Sequence, residues 1–244
     1  MHGRCKVLTR RVMRRTLVKL ADAPSTPASL YPMPTQLERP LGPRFSAALA
    51  YAADIHRQQP RKGSQVPYIA HILGVTSIAL EYGATEDEAI AAVLHDAIED
   101  APAELGDNAG ESVRRWIGYR FGPAVLHVVE ACTDADVKPK PAWRLGKETY
   151  IAGVAHKTAS ALLVSAADKL HNSRAILGDV RTSGNEFFNV FNKDAGQNGT
   201  MWYYRAIYTA MAARARDLKD SRVSALVEEP GRVVGQLEEL VNGT

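Results

Sequence analysis

Only two cysteines, Cys5 and Cys132, occur in 244 residues. That excludes a disulfide framework and makes a reducing cytoplasm the expected compartment. No apolar run approaches the roughly 20 residues that a membrane-spanning helix requires, so no membrane partner is expected. The first residues lack the apolar centre of a secretory signal. Period-two alternation of apolar and polar residues is missing, which argues against sheet, and no internal repeat is present. Charge of one sign is scarce as well. The net charge is +3, yet residues 1–30 carry Arg4, Lys6, Arg10, Arg11, Arg14, Arg15 and Lys19 against Asp22 alone, which leaves the remainder mildly acidic. Such a body offers no basic face, so nucleic acid is not an expected partner.

What is present is helical pattern. Residues 1–44 read as a basic tail followed by a Pro/Ser-rich linker, with Met13 an alternative start, and residues 45–244 as a single domain. The fold class expected is all-α, a helical bundle with C-terminal helices packed on it. Helical stretches are predicted over Phe45–Ile55, Tyr68–Tyr82, about Ser112–Tyr119, Ala124–Cys132, Trp143–His156, Ala159–Leu177, Thr200–Leu218 and Arg222–Leu240. The last is expected to break at Pro230-Gly231. Residues 178–199, rich in Gly, Asn and Asp, are predicted to form a long loop or lid.

The central helix opens with Thr85-Glu86-Asp87-Glu88, a capping box. It runs through Ala89–Leu94 to His95-Asp96-Ala97-Ile98-Glu99-Asp100, with its end set by Pro102. Helical spacing would stack His95 over Glu99 and Asp96 over Glu99 and Asp100. Three carboxylates at a helix C-terminus repel one another and oppose the backbone dipole. A divalent metal ion is the simplest source of the missing positive charge.

One helical turn cannot surround an ion, so other segments must contribute. His71 lies on a helix apolar nearly all round and, taken alone, reads equally as a core histidine. Asp168, His171 and Asn172 share one face of another apolar helix, where an unpaired carboxylate would be costly. Arg61-Lys62 alone is compatible with a solvated pair.

Taken in order, His71, His95-Asp96 and Asp168 resemble the ligand signature of the HD-domain metal-dependent phosphohydrolases. The likeness is more specific in Arg61-Lys62-Gly63-Ser64…Pro67-Tyr68-Ile69-Ala70-His71, in His95-Asp96-Ala97-Ile98-Glu99-Asp100, and in Asp168-Lys169-Leu170-His171-Asn172-Ser173-Arg174. Those blocks look like the hydrolase domain of the RelA/SpoT alarmone enzymes, over about Phe45 to Leu177. Nothing after them matches a synthetase domain, so a small, hydrolase-only enzyme is expected.

The resemblance implies one manganese ion held by His71, His95, Asp96 and Asp168, where the ion would acidify an attacking water. It implies Glu99 and Asp100 as the catalytic pair, with Glu99 activating the water and Asp100 assisting proton transfer. It implies Arg61, Lys62, Ser64, Asn172 and Arg174 as substrate-binding residues, and His171 as a partner behind a ligand. The implied substrate is a guanosine or adenosine tetra- or pentaphosphate, whose 3′-diphosphate would be hydrolysed to release pyrophosphate and a nucleoside 5′-di- or triphosphate. Ala175 stands where the family usually has Thr, and the basic pair sits one residue further from the Tyr-Ile-x-His run. Both departures fall on the nucleotide side and leave the base open. Alternatives are another HD phosphohydrolase acting on NADPH or ordinary nucleotides, and a non-catalytic nucleotide sensor. Nothing in the sequence fixes an oligomeric state.

Overall fold

The computed structural model describes residues 40–101, 105–106, 108–133, 141–191 and 195–243. The basic tail, Pro102 and most of the Asp134–Pro141 stretch lie outside them. Among the described residues the regular structure is helical: α1 (Pro43–Ile55), α2 (Ile69–Glu81), α3 (Glu86–Leu94), α4 (Ala109–Phe121), α5 (Pro123–Cys132), α6 (Trp143–Gly153), α7 (Ala159–Ser183), α8 (Gly196–Leu218) and α9 (Ser221–Asn242). Short 3-10 turns cover Val154–His156 and Gly184–Val190.

Helix α3 is the centre because its side chains leave it no polar face. Every residue from Ala89 to Leu94 is fully buried, as expected of a helix apolar all round. Helices α1, α2, α5 and α7 pack around it. Helix α7 is the long strut, and α9 lies along it. The capping box is present in full: Thr85 Oγ1 accepts from the Glu88 amide, and the Thr85 amide donates to the Glu88 carboxylate.

Glu88 then reaches beyond its cap. Its carboxylate accepts from Ser160 Oγ at 2.7 Å and from Arg222 at 2.8 and 3.3 Å, tying α3 to α7 and α9. Burial alone would raise this carboxyl, but Arg222, the Thr85 amide and Ser160 outweigh it and hold it below its ordinary value. A depressed folded value means stabilisation that is complete above the unfolded value, about 4.3, and lost as pH falls through the lower folded one. Glu88→Gln is expected to cost about 2 kcal/mol at pH 7, since it removes one of the two carboxylates that pair with the partly buried Arg222 and leaves Asp220 as the other. The same variant should flatten acid unfolding below pH ~4; a thermal melt series in pH checks both.

Three expectations need correction. The regular helix stops at Leu94, and residues 95–100 continue as turns. The amides of Ala97 and Asp100 still bond back to Leu94 and Asp96, so near-helical spacing survives while the clustered carboxylates leave the helix proper. Residues 178–199 are not one loop. Helix α7 runs on to Ser183 because Val180 extends the inward stripe of Ile176 and Leu177. Gly184, at φ +65°, ends it, and Phe187, Phe188 and Phe191 pack the next turn onto the core. Finally, α9 passes through Pro230 unbroken. Pro230 is buried with Val227, Val233, Val234 and Leu237, and that apolar contact on both sides holds the helix across the missing bond.

Candidate metal centre and active site

Two helices and a turn deliver the cluster. His71 comes from the first turn of α2, His95 and Asp96 from the turn that follows α3, and Asp168 from the middle of α7. His71 and His95 are each 1% exposed and Asp168 is 7% exposed. Ligand atoms of His71, His95 and Asp168 all lie within 4.8 Å of one another. His71 Nε2 is 3.3 Å from Asp168 Oδ1 and 3.5 Å from Asp96 Oδ2.

The geometry is that of groups facing a shared point. His95 Nε2 is 2.9 Å from Asp96 Oδ2, but the two are not aligned, and this buried nitrogen has no hydrogen-bond partner among the described residues. Its other nitrogen, Nδ1, lies 2.9 Å from the Ala92 carbonyl, an acceptor, so Nδ1 carries the proton. Burial alone would lower the His95 value, yet Asp96 and Asp168 raise it to about 10. Burial opposes the charged forms of Asp96 and Asp168 too, and His95, His71 and Lys169 still hold both below the usual carboxylate range. The pocket therefore calls for positive charge at its centre. A divalent cation on two imidazoles and two carboxylates supplies it with both rings neutral, and the residues fit such an ion.

Each ligand candidate is held from behind. Tyr68 donates from its hydroxyl to Asp96 Oδ2 at 2.7 Å. Asn172 Nδ2 donates to Asp168 Oδ1 at 2.6 Å, and Lys169 pairs with the other oxygen. His71 Nδ1 meets His171 Nδ1 at 2.9 Å. Burial, then His71 and Arg61, push His171 down to about 4, so it is neutral and can accept from His71. His171 thus stands behind a ligand, as expected of an outer partner.

Gly74 makes room for that ring. A Cβ there would lie 2.2 Å from His171 Cδ2 and 2.3 Å from its Nε2. Gly74→Ala is expected to displace His171 and weaken metal affinity or activity by about 10–100-fold, the usual cost of losing an outer partner. Metal titration followed by activity measures it, and unchanged affinity would sink this account of Gly74.

On the substrate side, Arg61 donates to Asn172 Oδ1 at 3.1 Å and lies 3.4 Å from His171 Nδ1. Lys62 is exposed, 6.0 Å from the Phe191 ring. Glu99 is exposed and Asp100 half-buried on the turns that follow the ligands. Burial raises Asp100 above its ordinary value, with a hydrogen bond from Gln59 partly offsetting this. Among the described residues, Ser64 Oγ donates to the Arg61 carbonyl and accepts from the Val66 amide, within its own turn. Arg174 lies 4.0 Å from Glu229 of α9. Tyr68 and Gln59 were missed by sequence reasoning; Tyr68 stands in the Pro-Tyr-Ile-x-His run, but its hydroxyl partner has no sequence signature. On α8, Tyr203 and Tyr204 are buried, and Arg144 lies over the Trp202 ring at 3.2 Å.

A helical bundle that converges two histidines and two aspartates from two helices and a turn defines the class, and a family comparison agrees. The HD domain model matches residues 48–201, and the chain belongs to that family. Within it, the chain is homologous to the alarmone hydrolases. It is 35% identical over 134 residues to the Drosophila melanogaster guanosine-3′,5′-bis(diphosphate) 3′-pyrophosphohydrolase MESH1, covering 54% of this chain and 68% of the fly protein. The human protein of the same name is 35% identical over 130 residues, covering 52% and 66%. The Escherichia coli bifunctional (p)ppGpp synthase/hydrolase SpoT is 31% identical over 144 residues, 57% of this chain but 18% of SpoT. A solved structure described as a metazoan ortholog of SpoT that hydrolyses ppGpp superposes with a TM-score of 0.58, at 24% identity, over 85% of this chain and 99% of that one. That last likeness is one of fold.

Proposed function

We propose that this chain is a metal-dependent hydrolase of nucleoside 3′,5′-bis(diphosphates) and of their 5′-triphosphate, 3′-diphosphate counterparts, releasing pyrophosphate from the 3′ position and leaving the nucleoside 5′-diphosphate or 5′-triphosphate respectively. The observation that carries it is the pairing of the buried His71, His95 and Asp168 cluster, with Asp96 beside both imidazoles, with Arg61, which is tied through Asn172 to the candidate ligand Asp168. Its homology to 3′-pyrophosphohydrolases over the same segment supports the substrate class.

In this reading His71, His95, Asp96 and Asp168 hold one manganese ion. When bound, the ion supplies a more acidic water and charge neutralisation at the reacting phosphate. Glu99 takes the proton of the attacking water, whose oxygen adds to the phosphorus bonded to the ribose 3′-oxygen. The phosphorus–oxygen bond breaks, and Asp100 delivers a proton to the 3′-oxygen as pyrophosphate leaves. Asp100 suits that task because burial favours its protonated form. Arg61 and Lys62 bind the substrate's phosphates. Both guanosine and adenosine nucleotides are proposed as substrates, and the cytoplasm as the compartment.

An endpoint assay on manganese-loaded protein tests this, with guanosine and adenosine 3′,5′-bis(diphosphates), NADPH and ordinary nucleotides in parallel. Pyrophosphate from one or both bis(diphosphates) is the expected result and fixes the base. Orthophosphate from NADPH or ordinary nucleotides alone would overturn the substrate assignment. Silence on every substrate with the ion bound would favour a sensor.

A further inference from the structure

The loop between α1 and α2 reaches the acidic end of α3 at two points. Tyr68 touches Asp96, and Gln59 touches Asp100, with Nε2 donating to Asp100 Oδ2 at 3.0 Å. An amide side chain can present either end, and here the choice is fixed from behind. Gln59 Oε1 lies 2.7 Å from Nδ1 of His56, a histidine only 1% exposed. Among the described residues His56 Nε2 is buried without a hydrogen-bond partner, so Nδ1 is the ring's bonding atom and donates to the amide oxygen. The main chain of Gln59 is pinned as well. Its amide donates to the His56 carbonyl at 3.1 Å, and its carbonyl accepts from the Tyr68 amide at 2.8 Å. Pro60 and Pro67 close the loop with an isolated bridge.

The geometry points to Gln59 as a positioning residue for Asp100, oriented in turn by His56. The inference rests on the hydrolase reading above, in which Asp100 gives a proton to the departing 3′-oxygen. Engaging Oδ2 stops the carboxyl group from rotating and leaves Oδ1 as the oxygen for proton transfer. A group held this way contributes to the rate of the bond-breaking step and not to substrate binding. Because Gln59 acts only through Asp100, its effect must vanish when Asp100 can no longer do its work.

The experiment is a double-mutant cycle on the manganese-loaded enzyme. It reads kcat and KM for wild type, Gln59→Leu, Asp100→Asn and the double variant, with guanosine and adenosine 3′,5′-bis(diphosphates). Gln59→Met, closer in shape, runs beside Gln59→Leu so that a folding defect in one does not decide the result. Loss of Gln59 is expected to lower kcat about tenfold with KM within about twofold, and to change kcat by less than about twofold in the Asp100→Asn background. His56→Phe, which keeps the ring but not the donor, should give a smaller loss of the same kind. Equal losses in both backgrounds, or a loss confined to KM, would overturn the Gln59 assignment and leave the hydrolase reading intact. A wild-type enzyme silent on both nucleotides would overturn the hydrolase reading, and this assignment with it.

Discussion

His95→Ala is expected to lower hydrolysis by about 10³-fold or more, roughly 4 kcal/mol of transition-state stabilisation, and to lose the bound ion. The side chain is 1% exposed, and its Nε2 is the orphaned atom at the centre of the cluster. The groups around it, Asp96 and Asp168, are the ones that most need a positive partner. Elemental analysis of purified protein measures the ion directly: about one per chain in wild type, well below that in the variant. Full ion content with activity within tenfold of wild type would remove His95 from the ligand set.

Glu99→Gln is expected to lower kcat by about 10²–10⁴-fold, the range spanned by general acid–base catalysis, with the ion still bound. Glu99 is exposed on the turn beyond the ligands. The two variants together separate holding the ion from using it. A Glu99→Gln enzyme that turns over at the wild-type rate would move the base elsewhere, with Asp100 the next carboxylate to test.

The bundle was legible where side-chain pattern is strong. Thr85 and Glu88 announced their helix start, and the apolar run Ala89–Leu94 announced the centre, because both signals are local. The errors fell where distant contacts override composition. Residues 178–199 read as loop from their glycines and asparagines, yet Phe187, Phe188 and Phe191 pack that segment onto the core. Pro230 read as a break, yet its apolar neighbours carry the helix through. In the site, the order His71, His95-Asp96, Asp168 identified the residues that converge. The roles of Gln59, Tyr68 and Gly74 were hidden, since each depends on a partner 28 to 97 residues away in the chain.

Arg61 stands at a junction. Its guanidinium holds Asn172, which holds Asp168, and it also approaches His171, which holds His71. Two of the four groups around the centre are therefore braced by the arginine that a substrate phosphate would claim. An anion that draws Arg61 toward itself withdraws donors from both braces and so changes the grip on the ion. Linkage then requires the ion to change the grip on the anion by the same factor. The effect of metal on nucleotide affinity and of nucleotide on metal affinity would then be one coupling free energy, measured from its two ends.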